Sequence, residues 1–409
     1  MGMELREIEA AGWDAWFGQV MVAFGGVTDG VEEQRFYRSV NEPERSIAAF
    51  DGGHIVGTAG AFSFRMAVPG GAVVPVAGVT CVGVEPTHRR RGVLTAMMRR
   101  QLDDVRRRGE ALSVLLASEP QIYPRFGYGV GCSTLRAEVD TARVGLRMPA
   151  GAERIRLVRA DVHASLAECE RLYAARFRGR PGMFERAPGW EYRPVLDEPS
   201  ERGGASALFC VQAFDGEELA GYARYAVAPR WSPSGPDGAV YVRDVEALSP
   251  AAYAALWRYL FDMDLTSTLH ARHLPVDDAL LRLVTDQRRC RLQLRDGLFV
   301  RVVDVPKALA ARTYQLPVRV VLEVSDPFCP WNEGRWLLSG DAQGATCKRT
   351  EEAAELALGA EELGAVYLGD TSLLSLAGAG RVAELRPGAL AEASAAFGSA
   401  VAPFFSHGF

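Results

Sequence analysis

The sequence predicts a mixed α/β (α+β) protein of three domains, over residues 1–147, 148–300 and 301–409. Three observations carry this. A strand–loop–helix–strand unit is legible at 78–117, the strand-then-helix order returns at 240–261, and beyond 301 short strands come first and helices follow. A chain of 409 residues has the length of two or three domains, and its composition, 48% hydrophobic and 24% charged, suits buried cores under an ordinary charged surface.

In chain order, residues 9–23 predict a helix with Trp13, Trp16, Phe17 and Val20 on one face. The stretch 24–36 sets Asp29, Glu32 and Glu33 beside Phe24, Phe36 and the adjoining Tyr37. On the residues alone it reads as a solvated helix start. Residues 46–50 and 54–64 predict strands joined by Asp51-Gly52-Gly53, and 65–76 continues the sheet through Pro69-Gly70-Gly71. Residues 78–84 alternate small and β-branched types, as a buried strand does, until Glu85-Pro86 ends it. From Val93 onward Leu94, Met98, Leu102 and Val105 recur at helical spacing, with Arg99, Arg100, Asp103 and Asp104 opposite. Arg106, Arg107 and Arg108 complement the negative end of that helix and Gly109 caps it. Residues 111–117 form a second buried strand.

The chemistry gathers where strand 78–84 hands over to the helix. Arg89-Arg90-Arg91-Gly92-Val93-Leu94 offers successive backbone N–H groups at a helix N-terminus, a glycine where phosphates come close, and guanidinium groups for bidentate contacts. A diphosphate fits there. No Lys-Ser/Thr follows the glycine, which excludes a Walker loop, and G-x-G-x-x-G is absent. Taken alone, the motif also fits a solvated basic loop. Tyr123 and Tyr128 follow the second strand, and on the residues alone either fits a core tyrosine with a satisfied hydroxyl.

In the second domain, 162–177 is helical, 207–214, 220–226 and 240–248 are strands, and Ser249-Pro250 opens a helix over 251–261. No arginine–glycine cradle separates that last strand from its helix. His270 and His273 lack the H-E-x-x-H pattern, so no metal site is predicted. The Pro-rich 229–236 reads as a surface loop. The third domain shows strands at 319–324, 335–338 and 345–348, then helices at 360–366, 371–377 and 388–397. Gly378 and Gly380 follow no strand and make no nucleotide site. The chain closes Pro403-Phe404-Phe405-Ser406-His407-Gly408-Phe409, too aromatic to be left in water without cost. A buried tail carries its terminal carboxylate with it, ionised at neutral pH.

A net charge of −5 argues against nucleic-acid binding and suits a cationic substrate. Seven dispersed cysteines without a C-x-x-C pair read as reduced packing residues. No secretory core, acylation signal or membrane-length apolar run is present, which predicts a cytoplasmic protein with no membrane partner.

The loop Arg89-Arg90-Arg91-Gly92-Val93-Leu94 resembles the pyrophosphate loop of the GNAT superfamily of acyl-coenzyme A dependent N-acyltransferases, with Leu94 in place of the small last residue. Pro86-Thr87-His88 before it, and Ala117-Ser118-Glu119, Ile122-Tyr123 and Arg125-Phe126-Gly127-Tyr128-Gly129 after it, resemble one branch, the enhanced intracellular survival (Eis) acetyltransferases. Segments at 296–306, 322–326 and 367–369 and the C-terminal phenylalanine extend the likeness along the chain. The resemblance implies two tandem GNAT-like domains, the second degenerate, followed by a sterol-carrier-protein-like domain. It implies acetyl-CoA as co-substrate, with Val82, Gly83 and Val84 along the pantetheine arm, Arg90, Arg91, Gly92, Val93, Leu94 and Thr95 on the diphosphate, and Ser118 and Glu119 beside the acyl donor. Tyr123 is then the general acid and the carboxylate of Phe409 the general base. The segment with Asp29 borders the acceptor pocket. The expected reaction is direct transfer, in a ternary complex, to primary amines of aminoglycoside-like substrates by a homohexamer. Gly408, where the family has an acidic residue, weakens the preference for highly cationic acceptors. Two other readings stay open: acetylation of lysine in proteins or peptides, and a non-catalytic protein binding coenzyme A and lipid.

Overall fold

A computed structural model describes residues 3–26, 30–233 and 235–409. In the first domain β1 (Glu4–Glu7), β2 (Ile47–Asp51), β3 (His54–Ala67) and β4 (Val73–Val84) run antiparallel, and β5 (Leu112–Leu116) lies parallel to β4. The stretch 65–76 continues the sheet through Pro69-Gly70-Gly71, as the sequence suggested. β3 carries it to Ala67, Val68 accepts the turn hydrogen bond from Gly71, and one twelve-residue strand returns. α1 (Trp13–Ala23) buries Trp13, Trp16, Phe17 and Val20 as their spacing predicts, and α2 (Val31–Val40) follows. α3 (Val93–Arg107) crosses between β4 and β5, burying Met98, Leu102 and Val105.

The first two domains exchange strands. β6 (Gly129–Val130) does not pair with β5; Leu298–Val302 lies between them, buried at every residue. β7 (Ser133–Asp140) leaves for the second sheet, whose order is Gln293–Asp296, β7, Thr266–Pro275, Gly238–Ala247, Glu218–Ala228, Phe209–Asp215 and β8 (Arg156–Ala160). Boundaries drawn at 147 and 300 thus cut across both sheets. An apolar run predicts a strand buried on both faces but carries no signal for which sheet will take it.

The third domain is a five-stranded sheet ordered Ala345–Arg349, Gly334–Gly340, Val318–Ser325, Leu356–Gly359 and Val382–Glu384, accompanied by the helices Ala360–Tyr367, Leu373–Gly378 and Ala389–Phe397. Its core is continuous with that of the first sheet, running from Phe64, Leu112 and Val300 to Leu322, Leu338 and Val366. Across the junction Arg301 forks onto Asp326 at 2.7 and 2.8 Å, with both side chains buried. Asn332 and the backbone N–H of Cys329 donate to the same carboxylate. The pair is thus fully hydrogen-bonded on the acidic side, the condition under which a buried ion pair survives its desolvation.

Candidate active site

A cavity of about 1060 Å³ opens where β4 and β5 part. Their parallel pairing ends at Val79 and Leu115, although β4 continues to Val84. A bulge turns β4 aside: Thr58 pairs with Gly83 and Gly60 with Thr80, so Ala59 alone faces Cys81 and Val82. Cys81 takes φ +53°, and the hydroxyl of Thr58 donates to its carbonyl at 2.8 Å. Among the described residues no strand pairs with the β5-facing edge of residues 82–84, which lines the cavity. Cys81 was read from sequence only as a packing thiol. A non-glycine residue in a left-handed conformation leaves no sequence signal.

Gly92 closes the loop with φ +84°, a conformation that favours glycine, and the space a Cβ would take is open. It caps α3 without a side chain, so the first-turn N–H groups at 93–95 are not taken by a capping group. The second domain differs here. The hydroxyl of Ser249 accepts from Ala252 N–H at 3.2 Å and Pro250 fills the first turn of the helix Pro250–Phe261, so that helix end is already satisfied. The residues at the first loop fit coenzyme A: an uncapped helix start, arginines beside it, and an unpartnered strand edge for the amide-bearing arm.

Of the predicted contacts, Val82, Gly83, Val84, Arg90, Gly92, Val93, Leu94, Thr95, Ser118, Glu119, Tyr123 and Phe409 all line this cavity. Arg91 does not. It lies 3.7 Å from Asp51, more than half exposed, while Arg89 takes a place in the lining. Asp29 lies outside the described residues. The α1–α2 side adds Phe17, Val20, Met21, Phe24, Glu33 and Tyr37, and Glu201 reaches in from the second domain. Sequence reasoning marked 24–36 as acidic and aromatic, but Glu201 stands in an undistinguished loop and carried no signal.

Tyr123 follows the short turn Pro120–Ile122 and is nearly buried. Burial first, and then the charge of Glu119, raise its pKa to about 12. Tyr128 is wholly buried, its hydroxyl 2.7 Å from that of Ser113, and it is absent from the cavity lining. The turn between them needs Gly127 at φ +81°, because a Cβ there would meet the Arg301 guanidinium at 2.8 Å.

The C-terminal tail is held at nearly every residue. Arg180 donates to the Ala402 carbonyl at 2.6 Å, Phe404 N–H bonds Pro181 O, and the His273 ring meets Phe405 O at 2.6 Å. Ser406 Oγ lies 2.6 Å from the Tyr173 hydroxyl and 2.9 Å from His407 Nδ1. The Phe409 ring packs on Phe64 and Phe184, 5.0 and 5.6 Å between centroids, over Gly78 of β4. A Cβ on Gly78 would come within 2.4 Å of the Phe64 ring and 3.2 Å of the Phe409 ring. His270 stacks on Tyr241, and among the described residues no group of three or more His, Cys, Asp or Glu is placed to hold a metal ion. Nor is any helix among them long and apolar enough to cross a membrane.

Comparison with known proteins places this geometry. Residues 4–131 and 182–302 each match an acetyltransferase (GNAT) domain family, and 305–406 matches the sterol carrier protein domain family. The chain is 58% identical, over 100% of both sequences, to an uncharacterized N-acetyltransferase of Streptomyces avermitilis. It is 34% identical to the N-acetyltransferase Eis of Mycobacterium bovis, covering 95% of this chain and 96% of that one. The crystal structure of Eis1 from Mycobacterium abscessus superimposes with a TM-score of 0.85 at 33% identity over 100% of each chain. GNAT domains imply the use of acetyl-CoA. With two such domains, the second lacking a phosphate cradle, and a sterol-carrier-like domain behind them, the chain belongs to the Eis family of GNAT N-acetyltransferases.

Proposed function

We propose that the protein transfers an acetyl group from acetyl-CoA directly to a primary amine of an aminoglycoside-like acceptor, with both substrates held together in the cavity. The observation that carries this reading is that Tyr123 and Phe409, 286 residues apart in sequence (409 − 123), line the same cavity as the uncapped α3 start. The N–H groups at 93–95, with Arg89 and Arg90, bind the diphosphate, and Arg91, tied to Asp51, steadies the loop. The edge of Val82, Gly83 and Val84 pairs with the pantetheine arm, and Ser118 and Glu119 flank the acyl end. Acetyl-CoA supplies the acyl group as an activated thioester. The terminal carboxylate of Phe409 takes a proton from the acceptor nitrogen as the N–C bond forms. Tyr123 gives its hydroxyl proton to the departing sulfur as the C–S bond breaks, and backbone N–H groups of the β4 edge polarise the carbonyl. No cysteine is required as a nucleophile. The same reading includes a homohexamer acting in the cytoplasm.

Thiol release from acetyl-CoA, measured against aminoglycosides, polyamines and lysine peptides, tests the reading. Turnover is expected on amino sugars, falling about 10²-fold or more in Tyr123→Phe and in a chain lacking Phe409. Preference for lysine peptides would move the assignment to protein acetylation. Coenzyme binding without thiol release on any amine would leave only a binding protein.

A further inference from the structure

Beside the acceptor wall stands a cation that the proposed reaction does not use. Arg193 belongs to the turn Trp190–Val195, whose Trp190 packs against Phe36 of α2, Phe64 of β3 and His407 of the tail, at 5.4, 4.7 and 5.5 Å between ring centroids. From this anchored turn the guanidinium reaches two elements at once. Its Nη2 lies 3.5 Å from Glu33 Oε1 on α2, and its Nε donates to the Gly408 carbonyl at 3.4 Å, one residue before the terminal carboxylate. It also lies 5.8 Å from the ring centroid of Tyr37. Both Glu33 and Tyr37 line the cavity.

Electrostatics follow from the placement. Among the described residues lining the cavity the carboxylates are those of Glu33, Glu119, Glu201 and the chain terminus at Phe409, and the charge of Glu119 falls on Tyr123. Of the other three, Glu33 is offset by Arg193, with both side chains largely buried and so weakly screened. The field of Arg193 also reaches inward, since it is one of the charges that, after burial, hold the His407 imidazole far below its ordinary pKa. With Glu33 offset, Glu201 and the Phe409 carboxylate remain, enough to match an acceptor bringing one or two ammonium groups. Ammonium groups beyond these meet the Arg193 charge without a matching carboxylate.

We propose that Arg193 is a specificity-determining residue: by bridging Glu33 and the tail at Gly408 it makes the acceptor site favour amines of low positive charge over polycations. This rests on the acceptor reading of the cavity given above.

The test compares kcat/KM for an amino sugar bearing one amine with that for one bearing five, in the wild type, Arg193→Gln and Arg193→Lys. Arg193→Gln is expected to raise the five-amine to one-amine ratio about fivefold, the scale of one unit charge acting over about 10 Å in a partly solvated site. Arg193→Lys keeps the charge while losing the fork, and its ratio is expected within about twofold of wild type. A ratio unmoved in Arg193→Gln, or moved equally in Arg193→Lys, overturns the assignment while amine acetylation stands. Absence of wild-type turnover on both sugars overturns the assignment together with the proposed function.

Discussion

Tyr123 keeps its proton because the phenolate has nowhere comfortable to form. Burial removes the water that would solvate the anion, and Glu119 adds a like charge, so its pKa rises from 10 to about 12. Both causes favour the neutral, proton-bearing form, so no loss of the donor is expected as pH rises through 10. At saturating substrates kcat should therefore stay level to pH 10, whereas an ordinary phenol would by then be half ionised. Glu119→Gln removes only the lesser cause, so the alkaline fall should move downward yet remain above 10. A wild-type kcat already halved at pH 10, with no such fall in Tyr123→Phe, would remove Tyr123 from the role. The expectation that Tyr123 rather than Tyr128 is the donor comes from the likeness to the family in the Arg-Phe-Gly-Tyr-Gly run that follows it. Its environment was not legible in the sequence, because the groups that bury Tyr123 and Tyr128, Phe299 among them, come from elsewhere in the chain.

At the scale of elements, the tail is an irregular strap whose rigidity comes from its partners. Two of its fastenings are imidazoles kept neutral. Burial, assisted by the Arg136 charge, pushes the pKa of His273 down to about 4, although its bond to Phe405 O acts the other way. Burial, together with Arg186, Arg193 and His273, pushes His407 well below the usual range. Among the described residues His407 Nε2 has no hydrogen-bond partner, and its ring is enclosed by Trp190, Phe184 and Phe64. A histidine whose folded pKa is depressed stabilises the folded form above its unfolded value of about 6.5, and that contribution drains away as pH falls toward the folded value. Acid should thus loosen the tail between about pH 6.5 and 4. Release of Phe409 by an acid-stable carboxypeptidase should quicken tenfold or more from pH 7 to 4.5, after normalising to a free peptide of the same sequence. A change under twofold would show that these histidines do not govern docking. That the tail is buried could be argued from its four aromatic rings. Which groups fasten it could not, since Arg180, His273 and Tyr173 lie more than a hundred residues away in sequence.

For the whole molecule, the exchange of strands makes the domains depend on one another. Leu298–Val302 closes the first sheet beside β5, and the Arg301 it carries spans to Asp326 of the third domain while bracing Gly127 below the Tyr123 turn. Strand patterns and the arginine–glycine loop revealed three domains and one cradle, but pairing across domains is a long-range choice that a local pattern does not encode. The consequence is cooperative. Asp326→Ala leaves the Arg301 charge buried and unpaired, a loss of about 3–5 kcal/mol, whereas Arg301→Met with Asp326→Leu removes both charges and should cost considerably less. Because the pair joins two cores that are continuous, the destabilised single variant should still unfold in one urea transition, with acetyl-CoA affinity and third-domain structure lost over the same range. The single variant's midpoint should fall well below that of the double variant. Two separated transitions, with coenzyme binding surviving loss of the third domain, would mean that the third domain is an appendage and that the catalytic sheet stands without it.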